Sequence, residues 1–442
     1  MITRYIFFFY LLASSFEIFG QSHWMYYHNV LNQTHLNPAY IQEKRFEIDP
    51  MSMGYHANNS GYKLFDFIDK GSENQNVFNL QKFSKALNGD YLPIGNFSLH
   101  TFDFGVKLNK LCFNIGHYFR LEANANIDQE LIDVLANGNA SYIGKTVNVS
   151  PQIYFNSFQA YYLGAAYNAG SLKIGAKIKW LNGNYNFDLQ SDNLTLKTGN
   201  EFYEIEGQTN FKIKQSGIIA FNENKITKIN INDTFSFKPF TPNKGFAFDI
   251  GLDYQASRSL NLLFNVRDIG SINWSSDSTM IYESKKNIRL NGVDIEAIID
   301  GESTEAVEDS INAALKIEKI GDNYQQKINP AISAGINLDD GKMNYLLAWT
   351  FTKVHKRSLQ SISLQVTRKI NKILNLGLSY NIHNNAFSNL GMMAHLKLNG
   401  FHIYGNTENI LTLFRPKDLH NISARIGVAF KFDSLTKKEK SI

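Results

Sequence analysis

The residues whose types and spacing could do chemistry are three lysines and two aspartates. Lys173, Lys177 and Lys179 hold the odd positions of one alternating stretch, and Asp249 and Asp253 those of another. In a strand such positions share one face. A basic row of this kind can attract carboxylate headgroups or other anions. It can equally pair with Asp249 and Asp253 on a neighbouring strand, if the segment 190–243 between them is a loop. Catalysis and metal binding have no comparable basis. Among 11 histidines no His-Glu-x-x-His or related spacing occurs. His23, His28 and His35 gather near the N-terminus without ligand spacing. No Ser/His/acid or paired-acid group stands out, so no enzyme, cofactor or metal is expected. The single cysteine, Cys112, excludes an intramolecular disulfide and a cysteine-rich metal site. The absence of a basic run interleaved with aromatics argues against nucleic acid as a partner.

The elements that must position these residues are strands. Phe246, Phe248, Ile250, Leu252 and Tyr254 alternate with Ala247, Asp249, Gly251, Asp253 and Gln255. Leu172, Ile174, Ala176, Ile178 and Trp180 alternate with Lys173, Gly175, Lys177 and Lys179, and Met343, Tyr345, Leu347, Trp349 and Phe351 repeat the pattern. The apolar face is bulky and the polar face small, often glycine, as in a crowded lumen. With 33 Phe, 22 Tyr and only 8 Pro, the chain still has a mean hydropathy of -0.26. A helical membrane protein would not show this, whereas strands with one lipid face and one polar face do. The fold class is therefore all-β, a transmembrane antiparallel β-barrel.

Fourteen strands are expected, with sixteen as the alternative. From about residue 94, tight turns (Asn109-Lys110, Ala169-Gly170, Ser257-Arg258, 339–342) alternate with long connections, and carrying that parity onward puts Asn371-Lys372 and Asn399-Gly400 on the tight-turn side. Bacterial barrels put tight turns on the periplasmic side, which makes both termini periplasmic. Residues 202–214 and 227–238 also alternate and are expected as a hairpin within the long loop 190–243. A helix is expected over 303–320 in the loop 276–326, as a lid over the barrel mouth or a partner-binding element. Trp180, Trp274 and Trp349 are expected in the outer interfacial girdle, with a bulge near Asp268 to Gly270.

The chain divides into an export signal over 1–20, a segment over 21–44 expected to plug the barrel, the barrel over 45–432 and a polar periplasmic tail over 433–442. Arg4 and the short apolar run after it carry the export signal. The alternating apolar face of the last strand ends in Phe430 and Phe432, similar to the assembly signal of outer-membrane barrels. Outer-membrane lipid and the barrel assembly machinery are the partners this implies.

The Asn37-Pro38-Ala39 triplet just before the first strand resembles the start of the long-chain fatty-acid transporter superfamily. Two further patterns, Lys179-Trp180-Leu181-Asn182-Gly183 and Asp268 to Trp274, are similar to an uncharacterised outer-membrane branch typical of the Bacteroidetes. The resemblance implies an N-terminal hatch folded into the lumen and a passive carrier or channel for a small, hydrophobic molecule. The alternative is a non-transporting barrel component of a protein-secretion or surface-attachment machine of the type IX kind.

Overall fold

In the computed structural model the alternating stretches close into one sheet. The structure describes residues 29–59, 62–71, 75–200, 205–222, 225–229, 240–290, 317–354, 357–383, 386–410, 414 and 421–433. The barrel strands are β1 (Phe46–Asn58), β2 (Ile94–Leu108), β3 (Leu111–Asn126), β4 (Gln152–Asn168), β5 (Leu172–Ser191), β6 (Lys244–Gln255) and β7 (Leu260–Trp274). They continue with β8 (Ala331–Asp339), β9 (Met343–Val354), β10 (Arg357–Lys369), β11 (Leu374–His383), β12 (Ala386–Leu398), β13 (Phe401–Thr407) and β14 (Asn421–Phe432). Each is antiparallel to the next. β14 returns to β1, from Phe46 opposite Phe432 to Asn58 opposite Asn421, so the fourteen-stranded barrel has no free edge.

The two faces separate cleanly. Phe246, Phe248 and Ile250 are 53%, 47% and 52% exposed, while Ala247 and Asp249 between them are fully buried. Ile178, Phe264, Leu347, Leu364 and Leu378 continue the exposed row on neighbouring strands. An apolar band of this extent around the whole wall is far larger than a soluble monomer exposes, and its solvent is lipid. No helix among the described residues is long and apolar enough to cross a membrane; crossing is by strands, whose backbone groups are satisfied across the closed sheet. At the tight turns Asn109 takes φ 58°, Asn399 46° and Gly400 89°. Asparagine and glycine tolerate that left-handed backbone, which two-residue hairpins require. Phe430 lies on the exposed face, and Phe432 stacks on Phe46 at 5.7 Å, closing the seam.

The long connections hold more structure than expected. Helices α1 (Leu80–Ala86) and α2 (Gln129–Asn137) pack together over Phe67, Phe83, Leu87, Tyr91 and Ile132. Asn79 caps α1, accepting a hydrogen bond from the Lys82 amide at 2.8 Å. The expected 202–214 with 227–238 hairpin is not what forms. Ile205–Ser216 instead pairs with the end of β5 and with Thr279–Leu290, which joins Glu318–Gly321. The physical reason is that β5 runs past the end of β6, and its unpaired edge takes a partner from the loop. The hairpin found is Ile219–Asn222 with Lys225–Ile229, and residues 230–239 lie outside the described residues. So do 303–316 of the expected helix, whose end, Glu318–Ile320, is strand. Residues 1–28 and 434–442 are likewise outside them; Asp433 binds Lys44 at 2.6 Å.

Trp274 corrects the girdle. It is fully buried inside the barrel, whereas Trp180 is 46% exposed and Trp349 half-buried on the outer face. A single bulge sets Arg267 and Asp268 together opposite Asp249, with Asp268 at φ 60°. One bulge flips every later side chain of β7. Asp268 and Trp274 therefore both turn inward, since keeping the tryptophan outside would need a second bulge. Brominated lipid should quench the fluorescence of a variant retaining only Trp180 and leave a variant retaining only Trp274 unchanged. Equal quenching of the two would contradict this arrangement.

Candidate functional site: a plugged lumen

Residues 29–42 fold inside the barrel at the end where the tight turns lie, and Glu43 and Lys44 are exposed. Leu31–His35 forms a turn of 3-10 helix, and Val30, Leu31, Asn32, Thr34, Leu36, Asn37 and Ala39 are all buried. The local conformation follows from Asn37-Pro38. Asn37 Oδ1 accepts from the Ala39 amide at 3.0 Å, the side-chain turn that asparagine makes readily, while Pro38 fixes its own φ. The Asn37 amide then donates to the Leu252 carbonyl of β6 at 3.0 Å.

Wall glycines make this fit. A Cβ at Gly175 would lie 2.0 Å from the Pro38 carbonyl oxygen, and one at Gly251 would lie 2.0 Å from Asn37 Oδ1. Only glycine allows the plug backbone so close to the sheet.

Polar groups fasten the plug elsewhere. The Asn32 amide donates to Asp49 at 2.7 Å and its side chain to Ser52 and Asp103 at 2.9 and 3.2 Å. Lys177 donates to the Thr34 hydroxyl at 2.7 Å, and Arg267 to the His35 carbonyl at 3.1 Å. The basic row is thus divided: Lys173 pairs with Asp253 at 2.8 Å, Lys177 holds the plug, and Lys179 bridges Asp249 and Asp268, each at 2.6 Å. Arg120 completes the network with Asp268 at 2.8 Å and Glu122 at 3.6 Å.

Beside this charged layer lies a packed one. Trp274, Tyr118, Phe158, Leu181, Ala247 and Ile272 are buried together. The Trp274 ring lies over Gly183, where a Cβ would come within 2.6 Å of it. The three short patterns of the sequence therefore meet in the lumen. Lys179 and Gly183 of one receive Asp268 and Trp274 of another, and the Asn-Pro-Ala triplet lies against the same wall.

At the tight-turn end the plug borders a cavity of about 850 Å³. Its wall is mainly polar, including Asn37, Lys173, Arg258, Asn261, Asn337 and Lys397, with Tyr40, Ile41 and Leu263 as its larger apolar members. Sequence reasoning missed one further feature, the convergence of His35 with His100 and Asp103 of β2. The ligand-type atoms of these three lie within 4.8 Å of one another. Burial, and after it the Lys177 charge, hold the His35 imidazole well below its ordinary range. A neutral ring offers a nitrogen lone pair as well as an N–H. His23 and His28 lie outside the described residues.

Among solved structures the chain is similar to a Pseudomonas aeruginosa FadL homologue, at 9% identity over 90% of this chain and 93% of that one, with a TM-score of 0.43. The Pseudomonas putida toluene transporter TodX is similar at 8% identity, 90% and 93% coverage and a TM-score of 0.42. The translocator domain of the autotransporter NalP from Neisseria meningitidis scores 0.31 at 8% identity, covering 88% of this chain and 90% of that one. No curated protein matches the sequence. One family profile, described as a family of unknown function, matches residues 38–408, from Pro38 through thirteen of the fourteen strands, and on that span the chain belongs to the family DUF5723.

Proposed function

We propose that this chain is an integral outer-membrane barrel acting as a passive carrier or channel for a small ligand, with residues 29–44 as its gate. The observation that carries the reading is the seat of the plug: inside the lumen, fastened by single hydrogen bonds to Asp49, Ser52, Lys177 and Arg267, and bordering a large cavity. Such contacts are individually worth about 0.5–1.5 kcal/mol between neutral groups and about 1.5–3 kcal/mol to charged ones, and can be exchanged one at a time. Tight turns and both barrel termini lie at one end, which in bacterial barrels is the periplasmic one. The ligand expected from the family resemblance is hydrophobic. The cavity wall modifies that expectation, because hydrogen-bonding side chains dominate it and its acidic and basic groups are matched in number. A neutral polar head on an apolar body suits this lining better than a pure hydrocarbon.

Native mass spectrometry of the full-length protein in nanodiscs tests the reading with three probes: monolaurin, laurate and dodecane. One monolaurin adduct per barrel is expected, held in preference to the other two and weakened by Asn261→Leu with Asn337→Leu. Absence of any adduct, or a preference for dodecane, would overturn the ligand assignment.

A further inference from the structure

One convergence in the lumen goes beyond what holding the plug requires. His35 Nε2 lies 3.1 Å from His100 Nδ1, and 3.1 and 3.2 Å from the two Asp103 carboxylate oxygens. His100 Nδ1 lies 3.9 Å from Asp103 Oδ2, and the three side chains are 8%, 6% and 0% exposed.

No placement of protons satisfies all these contacts. If His35 Nε2 carries a hydrogen, three acceptors share it. If it carries a lone pair, it can accept from His100 but then faces the carboxylate lone pairs at hydrogen-bonding distance. A cation between the three atoms satisfies every contact at once. The spacing suits one: bonds of about 2.1 Å in tetrahedral geometry put ligand atoms about 3.4 Å apart. The observed separations fall on both sides of that value.

We infer that His35, His100 and Asp103 bind a divalent transition-metal ion of the zinc type, which ties the plug to β2. Two imidazole nitrogens and a carboxylate form a donor set that such ions favour. The supporting shell is present as well. Tyr162 donates to Asp103 Oδ1 at 2.5 Å, orienting the carboxylate. The Asn32 side-chain nitrogen donates to Asp103 Oδ2 at 3.2 Å and supports the same carboxylate. Lys177, beside the plug turn, is engaged by Thr34 and lies over the Tyr162 ring at 4.0 Å, and the Asp103 and Asp249 carboxylates offset its charge. The site stands without the carrier reading; its consequence, a metal latch on the gate, rests on that reading.

The test uses full-length, detergent-folded protein stripped with chelator and equilibrated with Zn²⁺ or Co²⁺. One Zn²⁺ per barrel is expected by elemental analysis, and Co²⁺ should give the visible d–d bands of a four-coordinate ion. His35→Ala, which alters the plug and leaves the wall intact, should weaken binding by more than about tenfold. Heat-modifiable gel mobility shows in each case that the barrel is folded. A folded wild-type barrel that retains no metal, or equal retention by His35→Ala, would overturn the site. Transport is not measured in this experiment, so its failure and that of the carrier reading are separate results.

Discussion

Asp268→Asn should lower the barrel's resistance to denaturant by an amount equivalent to about 3–5 kcal/mol, the cost of breaking a buried ion network by removing one partner. Asp268 is the acidic centre of that network, touching Arg120 at 2.8 Å and Lys179 at 2.6 Å, and all three side chains are less than a tenth exposed. Removing its charge leaves two cations with Asp249 and a more distant Glu122. Asparagine is the informative replacement because Asp268 sits at φ 60°, a backbone region asparagine also tolerates, so the loss reports charge and not strain. Adding Arg120→Met should recover part of the loss by removing the cation left without a close partner, while Lys179 keeps Asp249, a coupling that only interacting sites show. Urea unfolding of the four proteins of this cycle, followed by tryptophan fluorescence, checks the result. Additive losses would show that the two residues do not act on each other.

The family patterns acquire a physical reason in these contacts. Glycine at 175, 183 and 251 is required by what lies over it: the Pro38 carbonyl, the Trp274 ring and the Asn37 side chain. These residues are far apart in the sequence and adjacent in the lumen. Function in this chain is therefore read from the inner wall, while the outer wall reports only the solvent.

Much of the barrel was legible in the sequence because its rules are local. Alternation gives the faces, and Asn109 and Asn399-Gly400 give tight turns through backbone preferences carried by two residues. The pairing of Lys173 with Asp253 follows once β5 and β6 are neighbours, since the register sets the two opposite each other; it also sets Asp249 opposite Lys177, and Lys179 reaches Asp249 diagonally. What escaped the sequence lies where period two breaks. His100 and Asp103 are three apart, which strict alternation puts on opposite faces. A bulge between His100 and Phe102 brings both inside, leaving Phe102 43% exposed. The same effect turned Trp274 inward. The bulge at Asp268 is legible in the sequence though its effect on Trp274 is not, while the bulge between His100 and Phe102 has no residue signature to be read without its partner strand. The strand Ile205–Ser216 was also not placed correctly, because its partners are the overhanging end of β5 and a strand of another loop.

If residues 29–44 close the lumen, removing the plug must open it. Deletion of residues 22–36 takes away the turn at Leu31–His35 and its contacts with Asp49, Ser52, Asp103 and Lys177, while the strands keep every backbone hydrogen bond of the closed sheet. Gly175→Leu reaches the same end from the wall, since any Cβ there overlaps Pro38. The decisive measurement is the swelling rate of liposomes containing equal amounts of folded intact, deleted and Gly175→Leu protein, in an isotonic solution of a small sugar. The plugged-barrel account predicts little swelling with the intact protein and rates at least about tenfold higher with both variants, in which the lumen is no longer occupied. Equal rates for the intact and deleted proteins, with both barrels folded, would contradict it.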